Sequence, residues 1–157
     1  MEEVKFVAYE WYNRVVWIQY GHYKSALYFS RRHSVMGSIT VLMTAVIGTS
    51  VFATLAKQAD LLVLVGALSV MATLLSALQT FLSYGERAER HKIAGSRYGK
   101  VGRQLELLLA HEQFDQNELV KIKEQLDSLS QECPHIPDKV NKLMEKKPPL
   151  GLKFSDK

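Results

Sequence analysis

Six small or hydroxylated residues recur at helical spacing within one apolar stretch of the sequence. They are separated by three, four, three, four and three positions: Gly66, Ser69, Thr73, Ser76, Thr80 and Ser83. On an α-helix this spacing places all six on one face, which we call the hydroxyl face. Such a face in a membrane either packs closely against other helices or lines a water-filled path. Both interpretations, helix packing and a pore wall, are open.

Gln79 lies beside the hydroxyl face. An amide costs more to expose to lipid than a serine or threonine hydroxyl, so we expect Gln79 to point inward. The preceding apolar stretch carries a shorter small face, made of Gly37, Thr40, Thr44 and Gly48. Two helices cannot enclose a pore, so a water path would need several copies, and the small faces favour a homo-oligomer.

Three glycines form a second small face beyond the apolar stretch: Gly95, Gly99 and Gly102. Each glycine inside a helix costs up to about 1 kcal/mol relative to alanine, so three together need a reason. Close packing against an N-terminal helix is one explanation, and a hinge between membrane and cytoplasmic parts is the other. A phosphate-binding loop would need a preceding strand and a different glycine spacing.

The sequence contains no recognisable set of catalytic residues. The five histidines, at positions 22, 33, 91, 111 and 135, are scattered, and no HExxH motif occurs. No serine or cysteine stands in a nucleophile motif. Cys133 is the only cysteine, and Cys133 with His135 makes two ligands where a metal site needs more. We expect no enzyme, no cofactor and no metal; His91, near Glu86 and Glu89, is expected to be solvated rather than a pH sensor.

Two uncharged stretches must position these residues, Ser34–Ala56 with 23 residues and Leu61–Gly85 with 25. As helices, each exceeds the roughly 30 Å thickness of the hydrocarbon core of a bilayer. The four-residue connector Lys57–Asp60 permits only an antiparallel return. A soluble core is disfavoured because a chain of 157 residues cannot cover two such helices all round.

Basic residues flank the two stretches on the side of the chain termini. Lys57 is the lone basic residue in the turn, whereas the flanks carry Lys24, Arg31, Arg32, Arg87, Arg90, Lys92, Arg97, Lys100 and Arg103. By the positive-inside rule, both termini are cytoplasmic. We expect the bilayer to be the main partner, with Arg31, Arg32, Arg87 and Arg90 near lipid head groups. No direct binding of nucleic acid is expected, because the basic residues do not belong to a reader motif.

The flanking segments show helical periodicity. Residues 2–33 predict one helix, with an apolar stripe at Val4, Val7, Trp11, Val15 and Ile18. After the second stretch, Ala94, Tyr98, Val101, Leu105 and Leu108 continue a seam, which predicts that the second span runs on as one long helix. Asp115 and Glu118 resemble a capping box that opens a further helix ending before Pro134, and Asp138 begins a short last helix.

The sequence therefore predicts an all-α membrane protein, in which a two-helix transmembrane hairpin is joined to a cytoplasmic helical bundle of N- and C-terminal helices. A single unit is expected over residues 1–147. Within it we assign the N-terminal helix to 1–33, the spans to 34–56 and 61–85, and cytoplasmic helices to 86–147. Residues 148–157 are expected to form a tail.

This arrangement resembles the SLATT family, the two-transmembrane effector domains that associate with SMODS and SLOG proteins in bacterial conflict systems. The resemblance rests on Trp11 and Arg14 in the first helix, the turn at Lys57–Asp60, the segment ERAERHKIAGSRYGKVGRQLELLL and the C-terminal ECPHIPDK. It covers nearly the whole chain and involves architecture more than catalytic chemistry.

Membership of that family would imply an effector in the bacterial inner membrane that forms pores or perturbs the membrane. Such effectors are expected to arrest or kill an infected cell as antiphage defence by abortive infection. A separate sensor would trigger them, through an upstream nucleotide-signalling or reverse-transcriptase-type module. The alternative is a non-conducting anchor or scaffold that recruits a cytoplasmic partner; a transporter is disfavoured because neither span contains a charge.

Overall fold

The computed structural model describes residues 2–53, 59–111 and 115–148, without the side chains of residues 50–53 and 59–62. Five helices follow in order, α1 (Glu2–Ala53), α2 (Ala59–Leu82), α3 (Tyr84–Ala110), α4 (Gln116–Glu132) and α5 (Asp138–Lys146). The described residues contain no strand, so the all-helical prediction is confirmed. The predicted turn begins at Lys57, outside the described residues, and the hairpin stays a prediction.

Helix α1 is a single helix of 52 residues. It contains the predicted N-terminal helix and most of the first predicted span, whose residues 54–56 lie outside the description. No proline occurs before Pro134, so nothing in α1 removes a backbone donor, and the helix passes Gly21 without a break.

The second span does not continue as one uninterrupted helix, which corrects that prediction. Ser83 separates α2 from α3 and adopts a positive φ of 46°. Backbone hydrogen bonds still cross the break, from Ser83 N to Gln79 O at 3.2 Å and from Arg87 N to Ser83 O at 3.0 Å. A left-handed conformation costs a non-glycine residue about 1–2 kcal/mol, so Ser83 is a strained position.

The later helices begin and end at the residues that cap them. The Asp115 carboxylate accepts a hydrogen bond from Asn117 N at 2.8 Å, which satisfies an orphan amide at the start of α4. Helix α4 ends at Glu132, before Pro134, and α5 begins at Asp138, directly after Pro137. The predicted start of α4 at Asp115, its end before Pro134 and the predicted start of α5 at Asp138 are confirmed.

The chain packs as two compact units. The terminal unit contains Met1–Tyr28 and Ala88–Lys157, and the apolar unit contains Phe29–Arg87. The terminal unit has a core of side chains from α1, α3 and α4: Ala8, Val15, Tyr98, Val101, Leu105, Leu108, Leu119, Ile122 and Leu129. All five residues of the predicted α3 seam are buried.

The prediction that Val7 belongs to the buried N-terminal stripe is wrong. Val7 is 41% exposed, whereas its neighbour Ala8 is fully buried in the core. Val4, Trp11 and Ile18 pack against that core while remaining partly exposed. Near the start of α1, the core-facing position is therefore residue 8 instead of residue 7, and the buried side chain is an alanine instead of a valine.

The apolar unit holds the described part of both predicted spans. By length and composition, the helical stretch Val63–Ala110 is the one in the described part of the chain that could cross a membrane. Only 11% of its most apolar 18-residue window is buried. Most of its apolar side chains therefore face outward, as on a helix surrounded by lipid or by other copies.

Candidate functional site

The hydroxyl face of α2 lies beside the contact with α1, and not in it. Ala72 is buried, and the Gln79 amide nitrogen lies 3.5 Å from where a Cβ on Gly37 of α1 would be. By contrast, Thr73 and Ser76 are exposed. Gly66 and Thr80 are exposed too, and Ser69 and Ser83 are half-buried. Packing within one copy therefore leaves most of the hydroxyl face uncovered.

Most hydroxyls on this face bond to carbonyls of their own helix. Thr73 Oγ1 donates to Ser69 O at 2.9 Å, and Thr80 Oγ1 donates to Ser76 O at 3.0 Å. Ser69 Oγ donates to Val65 O, and Ser83 Oγ to Thr80 O. A hydroxyl satisfied in this way tolerates an apolar neighbour and can still offer its lone pairs to water.

The small face of α1 is partly covered in one copy. Gly37, Thr40 and Gly48 are half-buried, whereas Thr44 is exposed. The Gln79 amide nitrogen lies beside Gly37 of α1, 3.5 Å from where a Cβ would be, an ordinary contact distance, and Gln79 itself is half-buried, which matches the expectation that it turns away from lipid.

The three glycines of α3 lie against α1 in the terminal unit. A Cβ on Gly95 would lie 3.1 Å from the ring of Tyr23, and one on Gly99 only 2.6 Å from the Gln19 amide nitrogen. At Gly102 the nearest atom, in Val15, would be at an ordinary 3.4 Å. The structure thus brings the glycines to a close helix crossing, and α3 runs through all three without interruption.

A fourth glycine with the same role was missed in the sequence. A Cβ on Gly21 would lie 2.5 Å from Ile136 Cδ1 and 3.1 Å from Met144 Sδ. Gly21 is buried, and Met144 is only 1% exposed. Gly21 therefore lets α5 and the loop before it approach α1.

A buried histidine pair links α1 and α3. The Nδ1 atoms of His22 and His91 are 3.0 Å apart, and the two residues are 2% and 3% exposed. The Tyr98 ring stacks on His22 with centroids 5.5 Å apart. This corrects the expectation that His91 is solvated: it precedes Ala94 and Tyr98 by three and seven positions, which places it on the seam that faces α1.

Burial controls the charge of this pair. Desolvation, with a smaller contribution from the charge of His91, lowers the pKa of His22 from 6.5 to about 4. Desolvation also lowers the pKa of His91. Both rings are therefore neutral at pH 7, where one Nδ1–H donates to the other Nδ1. Two protonated rings would point two N–H groups at each other across 3.0 Å.

An exposed ion pair joins α3 to the end of α4. Arg97 Nη1 lies 2.8 Å from Glu132 Oε2, and Ser128 Oγ donates to Glu132 Oε1 at 2.7 Å. The hydrogen bonds from Ser128 and then Arg97 lower the pKa of Glu132. Beside Glu132, burial raises the pKa of the half-buried Cys133 thiol. Among the described residues, no three His, Cys, Asp or Glu side chains form a metal-ligand group.

The arginines expected at lipid head groups, Arg31, Arg32, Arg87 and Arg90, are all exposed. Arg32 Nη1 donates to the Tyr84 hydroxyl at 3.3 Å, and its guanidinium lies 5.8 Å from the centroid of the Tyr84 ring. The structure thus brings Arg32 to the first residue of α3, a contact that the sequence spacing did not predict.

Comparison with protein families matches residues 7–143 to the SMODS and SLOG-associating 2TM effector domain family 4. The match covers most of the chain, which therefore belongs to this SLATT family. Neither the curated proteins nor the solved structures contain a match to the chain. The family identity supports a membrane effector with two transmembrane helices in a conflict system.

Proposed function

We propose that this SLATT protein is the effector of a bacterial antiphage system, and that several copies form a membrane pore whose wall includes the hydroxyl face of α2. It is proposed to lie in the inner membrane with both termini cytoplasmic. A separate nucleotide-signalling or reverse-transcriptase-type module would trigger it, and the resulting leak would arrest or kill the cell. The role requires no catalytic step.

The observation that carries this proposal is the position of the hydroxyl face. In one copy, Ala72 is buried and Gln79 reaches α1, whereas Thr73, Ser76 and Thr80 remain exposed. Three hydroxyl residues on one side of an apolar helix gain most from water or from another copy. A ring of copies would bring these faces together.

A non-conducting anchor is the second candidate. It is favoured by the internal hydrogen bonds of Ser69, Thr73 and Thr80, because hydroxyls already satisfied by helix carbonyls need no water. In that case the hydroxyl face would serve helix packing between copies, and the terminal unit would recruit a partner.

Ion flux from proteoliposomes, with oligomer mass measured on the same sample, separates the two candidates. Thr73→Leu should reduce flux at least about tenfold through dewetting of the pore, with the oligomer unchanged. Leu74→Phe is the matched control, because residue 74 lies about 100° around the helix and its side chain is 59% exposed. Loss of the oligomer in Thr73→Leu would favour the anchor, because the hydroxyl face would then serve packing between copies and not a water path.

A further inference from the structure

A pocket in the apolar unit lies where the first apolar stretch begins. It has a volume of about 290 Å³ and is lined by Arg31, Arg32, Val35, Met36 and Tyr84. The two arginines precede the stretch that starts at Ser34, and the valine and methionine lie within it. The pocket therefore has a cationic end and an apolar end.

Tyr84 is held in this pocket from two sides. Its ring stacks with Phe29 at a centroid distance of 6.0 Å, and the Arg32 guanidinium lies over it at 5.8 Å. Phe29 is only 8% exposed, so it is a fixed support for the ring. The break at Ser83 directly precedes Tyr84, which is the first residue of α3.

The polar end of the pocket can donate hydrogen bonds. The Tyr84 hydroxyl accepts from Arg32 Nη1, so its own hydrogen is available to an outside acceptor. Arg31 is exposed and makes no ion pair with any described residue. Guanidinium groups bind phosphate oxygens through paired N–H groups, which gives these residues the chemistry of a phosphate site.

The apolar end of the pocket lies about one helical turn from its polar end. Val35 lies four residues after Arg31, which is about 6 Å along a helix. Val35 is 57% exposed and Met36 is half-buried, so both offer apolar surface beside the arginines. A phospholipid has the same order of parts, with a phosphodiester followed within a few ångströms by methylene groups.

We propose that this pocket binds one anionic phospholipid, whose phosphate contacts Arg31, Arg32 and the Tyr84 hydroxyl and whose acyl chain lies along Val35 and Met36. The site differs from diffuse attraction to the membrane surface because the tyrosine hydroxyl and the two apolar side chains fix the position of the lipid. The proposal rests on the membrane location of the family and is independent of ion conduction.

Lipid binding to the full-length protein in mild detergent can be followed by native mass spectrometry during titration with phosphatidylglycerol. Arg31→Gln should weaken binding at least about fivefold, as expected for one arginine at an anionic head group. Tyr84→Phe, which removes only the hydroxyl, should weaken it about twofold to fivefold. Arg87→Gln is the matched control. Arg87 is also expected near the head groups of a bilayer, but it lies outside the pocket, so in detergent its loss should change the binding of a single lipid less than twofold.

Three outcomes would overturn the site. Equal losses in Arg31→Gln and Arg87→Gln would indicate diffuse charge attraction. Equal binding of phosphatidylcholine would remove the preference for an anionic lipid. Displacement of the lipid by millimolar inorganic phosphate or glycerol phosphate would indicate a site for free phosphate. Ion flux measured on the same variants keeps this result separate from the pore, because lipid binding could fail while flux persists.

Discussion

His22 of α1 and His91 of α3 are 69 positions apart in the sequence, and their ring nitrogens meet at 3.0 Å inside the terminal unit. The bond needs one ring to donate and the other to accept, so it is intact only while at least one ring is neutral. Burial of both rings therefore couples the packing of α1 on α3 to pH.

We expect the terminal unit to lose stability as the pH falls below about 6.5. The pKa of His22 is about 4 in the folded chain and 6.5 in the unfolded chain, so the unfolded chain binds more protons between these values. The stabilisation is fully present above pH 6.5 and is lost progressively towards pH 4, by roughly 3 kcal/mol at most. Thermal unfolding followed by circular dichroism in detergent, from pH 8 to pH 4.5, measures it.

The matched variants are His22→Gln and His135→Gln. Glutamine at position 22 can still hydrogen-bond but does not titrate, so its melting temperature should vary less with pH than that of the wild type. His135 is exposed, and His135→Gln should retain the wild-type pH dependence. Parallel pH profiles for all three proteins would contradict a role for the buried pair.

The local pattern of the sequence predicted the helices well because periodicity and capping are local properties. The seam from Ala94 to Leu108 is buried as expected, and Asp115 caps α4. The predicted burial of Val7 was wrong because apolar residues spaced three and four positions apart fit more than one face of a helix as long as α1. Only packing against α3 and α4 selects Ala8 for the core.

Contacts between segments that are distant in the sequence could not be predicted from local patterns. The partner of His91 is on α1, and no spacing within α3 identifies it. The break at Ser83 was also missed, because serine carries no signal for a positive φ of the kind that glycine or asparagine gives. The hydroxyl face was visible in the sequence, but its position beside the α1 contact depends on Gly37 and Gln79.

The glycines of the α1 crossing should respond differently to alanine. Gly21→Ala should destabilise the protein by about 1–3 kcal/mol, because its Cβ would lie 2.5 Å from Ile136 and 3.1 Å from the buried Met144. Gly102→Ala should stabilise it by about 0.5–1 kcal/mol, because the nearest atom is at 3.4 Å and alanine favours the helix.

Thermal unfolding of both variants tests whether Gly102→Ala is more stable than Gly21→Ala. The gain in helix propensity is common to both substitutions, so their difference isolates the packing at Gly21. A Gly21→Ala protein as stable as Gly102→Ala would show that Ile136 and Met144 move away without cost.

The strain at Ser83 predicts opposite effects of two substitutions. Ser83→Gly should raise stability by roughly 0.5–1 kcal/mol, because glycine adopts the positive φ without a steric penalty. Ser83→Val should lower the melting temperature, because a β-branched residue is strongly disfavoured there. If valine is tolerated as well as glycine, Ser83 does not adopt this conformation in the membrane.

Cysteine labelling tests the proposed topology. Cys133 is the only cysteine, and a cytoplasmic terminal unit should protect it from an impermeant maleimide added to intact cells. Burial raises the pKa of this thiol, so labelling is run at pH 8 and compared with permeabilised cells, where it should proceed to completion. Labelling from outside intact cells would place the C-terminal part on the other side of the membrane.

The hydroxyl face gives the most direct test of the pore. Single cysteines at Thr73, Ser76 and Thr80, in a Cys133→Ser background, should react with a small water-soluble thiol reagent when the effector is active. All three side chains are exposed in one copy, so their reactivity in an oligomer reports what covers them. A cysteine at Leu78 is the control, because this residue is also exposed, at 53%, but lies on the apolar side of α2.

In a water-lined pore the three cysteines react and the one at position 78 does not, since a thiol surrounded by lipid ionises poorly and meets no reagent. Modification should also block ion flux, because each added group narrows the path. If the three cysteines stay unreactive in an assembly that conducts ions, another surface lines the pore, and the hydroxyl face serves packing between copies.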